Sequence, residues 1–261
     1  MNCLIETALL THGLRSIANE ELAQSWHCPD AILAWVDGGE LKIGPIGEYL
    51  PFRERSEELV RIDCDHLEEA RQSRASGALT ASGTMAVCRR LDIPMAITCG
   101  MGGIGDLRGE ELCPDLPALM NIPVALISTS PKDMLDRPAT LDWLRRHGVH
   151  TAGEPCTGYL FCGKPVALEL PLSSCNNETA VRRLTANGGL LILNPIPEKE
   201  RVQDRSILVD AIKAGKQAEA EGHYYHPAAN GEIDRRTDGY SSRIQLESIQ
   251  QNYLLAKSIM D

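Results

Sequence analysis

The run "VALISTSPKDMLD", Val124–Asp136, sets an ammonium group, Lys132, four residues beyond a short apolar stretch. Ligands of open α/β sheets collect outside the carboxyl ends of the strands, so a lysine at such a mouth is placed to meet one. Read with a helix opening at Asp133, the segment puts the amine at the positive end of a helix dipole, and partial burial adds to the pull toward the neutral nucleophile. A neutral amine condenses with a sugar carbonyl to a Schiff base. The ordinary alternative is a solvated lysine in a βα loop. Glu6 breaks the otherwise apolar "CLIETALL". A buried carboxylate without a partner is costly, so Glu6 is either hydrogen-bonded structure or a tuned general acid. His12, in "LLTHGL", is a turn histidine tied to backbone or a proton-transfer group.

"TCGMGGIGD" carries Gly100, Gly102 and Gly105 at the GxGxxG spacing after an apolar run. A dinucleotide site also needs a helix opening on the last glycine and an acid about 20 residues on. Here Pro114 and Pro117 follow, with Ala125 in the acid's place, so the glycines read as a tight loop that lets backbone approach something closely. Glu110, Glu111 and Asp115 come next. Their spacing could gather carboxylates on one side of a loop and first helical turn, a set suited to a magnesium- or manganese-type ion. An acidic helix start after Pro114 explains Asp115 equally well. "NPIPE" at Asn194–Glu198 reads as a rigid stop after a strand.

The elements that must position these residues alternate in type. Periodicity predicts strands near Cys3–Leu10, Ala31–Val36, Leu41–Ile43, Met95–Cys99, Val124–Ser128 and Gly189–Asn194. It predicts helices near Ile17–Ser25, Asp65–Ser73, Thr84–Leu91, Asp115–Met120, Asp133–His147, Glu178–Ala186, Gln203–Glu221 and Ser242–Met260. "WVDGGELKIG" is a hairpin signal, so some antiparallel pairing is expected in an α/β fold. No repeat or Ser/Gly/Pro linker divides the chain, and residues 1–261 read as a single domain.

Composition narrows the function. The 36 acidic against 26 basic residues give a net charge of −10, and no basic run is long enough to track a phosphate backbone, so polymeric nucleic acid is an unexpected partner. No apolar run spans a bilayer and the first residues do not read as a signal peptide, so no membrane partner is expected. Nine scattered cysteines, odd in number and without a CxxC pair, fit free thiols in a reducing cytoplasm.

Seven segments in order resemble the pseudouridine-5′-phosphate glycosidase family, also called indigoidine synthase A-like: "ETALLTHG", "PDAILAWVDGGELKIG", "GTMAV", "GGIG", "KDMLDRPATLDWLRRHGV", "GGLLILNPIPE" and "NYLLA". The resemblance implies a three-layer α/β/α sandwich with a central mixed sheet, assembled as a homotrimer. It implies a small-molecule nucleotide or sugar phosphate as partner and reversible C-glycoside cleavage, in which pseudouridine 5′-phosphate and water give uracil and ribose 5-phosphate with a divalent metal, usually Mn2+. Carried over by position, Lys132 forms the imine and Glu6 handles protons. Glu111 and Asp115 fall on the metal and substrate segment, Cys113 and Pro114 with Asp115 on its substrate-binding part, and Arg61, Ala81 and Asn252 on substrate contacts. The chain departs from the family in "MGGIGDLRG", one residue short, and in "HPAAN" at His226–Asn230, where the family carries "TPFLL". These changes leave open a C-glycoside synthase, a Schiff-base lyase on a different sugar phosphate, or a non-catalytic sugar-phosphate-binding relative.

Overall fold

The computed structural model describes residues 1–105, 113–186 and 188–260. Along them run β1 (Cys3–Ile5), α1 (Asn19–Ser25), β2 (Leu33–Asp37), β3 (Glu40–Gly44), α2 (Ile46–Arg53), β4 (Val60–Ile62), α3 (Leu67–Gln72), β5 (Gly77–Leu79) and α4 (Ala81–Arg90). There follow β6 (Met95–Ile97), β7 (Gly100–Met101), α5 (Asp115–Asn121), β8 (Ala125–Ser128), β9 (Ser130–Pro131), α6 (Arg137–Arg146), β10 (His150–Gly153), α7 (Glu178–Thr185), β11 (Leu190–Leu193), α8 (Ser206–Ala220), α9 (Tyr225–Arg236) and α10 (Tyr240–Met260).

Nine of the strands form one mixed sheet in the order β10-β11-β8-β6-β1-β2-β5-β4, with β3 paired to β2. From the edge strand β10 inward, β10, β11, β8, β6 and β1 are parallel. Their side chains alternate between two cores, as a period-2 strand buried on both faces requires. Ile5, Met95, Ile97, Ala125, Ile127, Leu190 and Ile192 pack on one face with α8, α9 and α10. Leu4, Ala96, Leu126, Leu191 and Leu193 pack on the other with α4, α5 and α6. A three-layer α/β/α arrangement with a central mixed sheet results, as expected. Each fully buried leucine or isoleucine in these layers contributes about 1.5–3 kcal/mol.

The hairpin forms where expected. Gly38 and Gly39 take φ of +58° and +82°, the left-handed pair that a two-residue turn matched to strand twist demands, and Asp37 pairs with Glu40. Farther along β2 the sheet does something the periodicity did not predict. β1 pairs with β2 in parallel at Leu33, whereas β5 pairs antiparallel with Trp35 and Val36. β1 and β5 therefore run toward one another, and their carboxyl ends meet where Thr7 N–H donates to the Leu79 carbonyl and Leu79 N–H to Thr7 Oγ1. The strand ends that carry chemistry thus converge from two directions on one place.

Three expectations are corrected. The first strand stops at Ile5 rather than Leu10, and a π-helical turn occupies Leu9–Gly13, so Glu6 caps a strand end instead of interrupting a strand. The helix expected from Asp133 begins at Arg137, with Asp136 accepting from the Ala139 N–H as its N-cap. Lys132 therefore follows the two-residue strand β9 and does not sit on a helix N-terminus. Finally, β4, β5, β7, β9, β10, α2 and α9 are additional elements.

Candidate active site

Lys132 is held by its backbone. Its N–H donates to the Met101 carbonyl, its carbonyl accepts from Leu135, and β9 is pinned to β7. Beside it Asp133 turns a carboxylate into the 159–161 segment. The N–H of Tyr159 donates to Oδ1 at 2.9 Å, and those of Leu160 and Phe161 donate to Oδ2 at 2.6 and 3.0 Å. Asp133 is thereby an anchor that fixes both Lys132 and the Tyr159 ring. No hydrogen bond or ion pair among the described residues engages the Lys132 ammonium, and burial, reinforced by the Arg61 guanidinium, lowers its pKa against the opposing pull of Glu6 and Asp115.

Glu6 extends the pairing of β1, its N–H donating to the Ile97 carbonyl. Its side chain is 6% exposed and Oε1 accepts from Thr98 Oγ1 at 2.7 Å. Burial raises the carboxyl to about 7, while the Thr98 hydroxyl and Lys132 work to lower it. A carboxyl titrating near neutrality and an amine pushed toward its neutral form are the two requirements for proton transfer coupled to nucleophilic addition.

Both groups line an inner chamber of about 40 Å³, together with Ala81, Arg61, Asp115, Tyr159 and His226. An outer cavity of about 460 Å³ shares Arg61, Asp115, Lys132 and His226 with it and adds Cys113, Pro114 and Asp63. Asp115 spends both oxygens on backbone: Ser82 N–H donates to Oδ1 and Gly102 N–H to Oδ2. This explains the glycine loop. A Cβ at Gly102 would lie 2.0 Å from Cys113 Sγ and 3.1 Å from Asp115 Oδ2, so the close approach is to the chain's own α5 entry. Cys113, pushed up to about 12 chiefly by burial, stays a thiol.

Of the residues singled out in the sequence, Lys132, Glu6, Arg61, Ala81, Cys113, Pro114 and Asp115 are brought together around these two cavities. Asn252 is not. It is fully buried in α10, donates to the Thr98 carbonyl at 2.8 Å and to Thr129 Oγ1 at 3.2 Å, and accepts from Asn194. It braces the strand end that carries Thr98 rather than facing either cavity. Glu111 lies outside the described residues. Among those described, no three His, Cys, Asp or Glu side chains gather as a metal-ion cage. Asp115 accepts one backbone N–H on each oxygen and keeps a second lone pair on each. The nine cysteines are all free thiols, and no described helix is long and apolar enough to cross a membrane.

Sequence reading missed Thr98, Asp133 and Tyr159, and met His226 and Asn230 only as the ends of the departing "HPAAN" segment, without a role. The last two stand on α9, whose pattern Pro227 and Gly231 interrupt. Pro227 falls in the first helical turn, where the missing N–H costs nothing.

Comparison with known proteins gives a consistent frame. The family model described as "Indigoidine synthase A like protein" matches residues 4–260. Pseudouridine-5′-phosphate glycosidase of Methylobacterium nodulans is 27% identical over 98% of this chain and 81% of its own length. The protein of the same name from Petrotoga mobilis is 26% identical over 98% and 89%. Among solved structures, the prealnumycin C-glycosynthase AlnA in complex with ribulose 5-phosphate superposes with a TM-score of 0.77 at 20% identity, covering 98% of this chain and 90% of that one. An indigoidine synthase A-like protein of Thermotoga maritima gives 0.75 at 18%, covering 98% and 91%.

Proposed function

The chain belongs to the indigoidine synthase A-like family, and from that premise we propose that it is an enzyme of C-glycosyl bonds that works through an imine on Lys132, with pseudouridine 5′-phosphate or a related C-ribosyl phosphate as substrate. The names of its relatives supply the substrate class. The observation that carries the mechanism is the pairing, around one buried chamber, of an amine pushed toward neutrality with a carboxyl titrating at about 7.

The chemistry needs both. A carbon–carbon glycosidic bond offers no heteroatom to protonate as a leaving group. The Lys132 amine attacks C1′ while the ring oxygen departs with a proton from Glu6. The alkylated nitrogen returns a proton to the Glu6 carboxylate, and its lone pair then expels the base carbon as that carbon takes the proton from Glu6, leaving C1′ as an iminium. Water adds to the iminium and releases ribose 5-phosphate and the free amine, so one water is consumed and the base leaves as uracil. Arg61, in the outer cavity, attracts the phosphate and at the same time holds down the lysine pKa. Every step is reversible, so base and sugar phosphate can be joined by the same residues.

Borohydride reduction in the presence of ribose 5-phosphate, followed by peptide mass spectrometry, tests this. The expected result is a pentose phosphate adduct on Lys132, absent from Lys132→Ala, with uracil released from pseudouridine 5′-phosphate by the wild type alone. No adduct with any pentose phosphate, or unchanged turnover in Lys132→Ala, would sink the proposal.

A further inference from the structure

We propose that His226 and Asn230 are specificity-determining residues that hold hydroxyl groups of the opened sugar chain beside Lys132, an assignment resting on the imine reading above for what enters the inner chamber. The two side chains stand four residues apart on α9, the spacing that puts them on one helix face. Both line the inner chamber with Glu6 and Lys132. His226 Nδ1 and Asn230 Oδ1 are shut from solvent without a hydrogen-bond partner among the described residues. Across the chamber His12 shares that condition. Its Nε2 lies 3.0 Å from the Leu59 carbonyl and donates to it, which leaves Nδ1 as a buried, unpaired acceptor.

Native proteins seldom leave a buried polar atom unpaired without a reason. Three residues carrying such atoms line one void, where a bound molecule with its own hydrogen-bonding groups would meet them. Burial, with Lys132 and Arg61 facing it, keeps His226 neutral near pH 7, so the wall presents neutral partners to neutral groups and does not compete with Arg61 for the phosphate. Size selects among neutral donors. The chamber's about 40 Å³ has room for about three water-sized groups at roughly 10–15 Å³ each. Carbinol groups in a row fit such a space and a pyrimidine ring does not; the base is left to the outer cavity of about 460 Å³.

The test is calorimetric titration of wild type, H226F, N230L and N230A with D-ribose 5-phosphate and its 2-deoxy and 3-deoxy analogues, alongside the melting temperature of each protein. Wild type is expected to bind ribose 5-phosphate about tenfold more tightly than at least one deoxy sugar. N230L or H226F is expected to cut that ratio about fivefold by weakening the hydroxylated sugar only, the usual size of one neutral hydrogen bond, with a melting temperature unchanged or raised. N230A must reproduce the N230L result, since its smaller side chain cannot exclude the sugar by bulk. A wild type that does not discriminate, a ratio untouched by the variants, or an equal loss for all three sugars overturns the assignment. Borohydride trapping keeps it distinct from the parent reading: absence of a Lys132 adduct removes the imine, whereas a hydroxyl-dependent ratio that the variants abolish still stands.

Discussion

Replacing Glu6 by glutamine should stabilise the free protein at alkaline pH and leave it unchanged in acid. Glu6 is 6% exposed, and burial carries its carboxyl from 4.5 to about 7 in spite of the Thr98 hydroxyl and the Lys132 ammonium. Between those values the folded protein keeps a proton that the unfolded chain has already released. Stability is therefore full below pH 4.5 and drains away as the pH climbs through about 7. At about 1.4 kcal/mol per decade of proton concentration, the interval corresponds to about 3 kcal/mol. Glutamine accepts the same Thr98 hydrogen bond and never has to ionise. Urea unfolding of wild type and Glu6→Gln from pH 4 to 8.5 at fixed ionic strength gives the difference curve, from which the groups that do not interact with Glu6 cancel. That difference should grow by about 3 kcal/mol in favour of the variant, with most of the rise between pH 5 and 7. A difference independent of pH would refute the buried, high-pKa carboxyl and its readiness to exchange a proton near neutrality. A difference growing in favour of the wild type would mean that Lys132 outweighs burial.

Arg61→Met should raise the pKa of Lys132, because the guanidinium is the second cause of its depression; the rate of borohydride-trapped adduct formation at saturating sugar should then reach half its maximum at a higher pH than in wild type. Asp133→Asn replaces a charged acceptor of three backbone N–H groups by a neutral one, and is expected to cost about 2–3 kcal/mol in denaturant unfolding and to lower kcat through misplacement of Lys132. Gly102→Ala forces a methyl onto Cys113 Sγ; it should weaken substrate binding about tenfold or more by displacing Asp115, and a substrate KM equal to that of wild type would show that the loop has room to spare.

The parts of the fold legible in the sequence were those with a strong local signal. β11 is an unbroken apolar run and β8 is apolar up to its closing Ser128, and Asp37-Gly38-Gly39 is a strong hairpin signal. Lys132 was singled out because an amine fits chemistry at a strand end and Glu6 because a carboxylate breaks an apolar run; of the two reasons given for the lysine's lowered pKa, burial holds and the helix dipole does not. Its depressed pKa comes from burial and from Arg61, on β4, a strand of three residues too short to carry a period. Asn252 was expected as a contact because the family resemblance carries a late asparagine onto it. Only packing shows that α10 turns it toward the Thr98 carbonyl, 154 positions away. His226 and Asn230 were hidden by a proline and a glycine that argue against a helix unless the proline's place in the first turn is known.

That long reach of α10 has a consequence for folding. Asn252 grips Thr98 and Thr129, Ser248 Oγ is hydrogen-bonded to Thr129 Oγ1, and Gln245 accepts from the Tyr159 hydroxyl. The strands that end just before Glu6, Thr98 and Lys132 lie far ahead of this helix in the chain, yet the polar layer behind them closes only when it docks. Such late, non-local pairing is slow to form. The frame that holds the Lys132 amine and the Glu6 carboxyl therefore has its full set of polar contacts only with α10 in place.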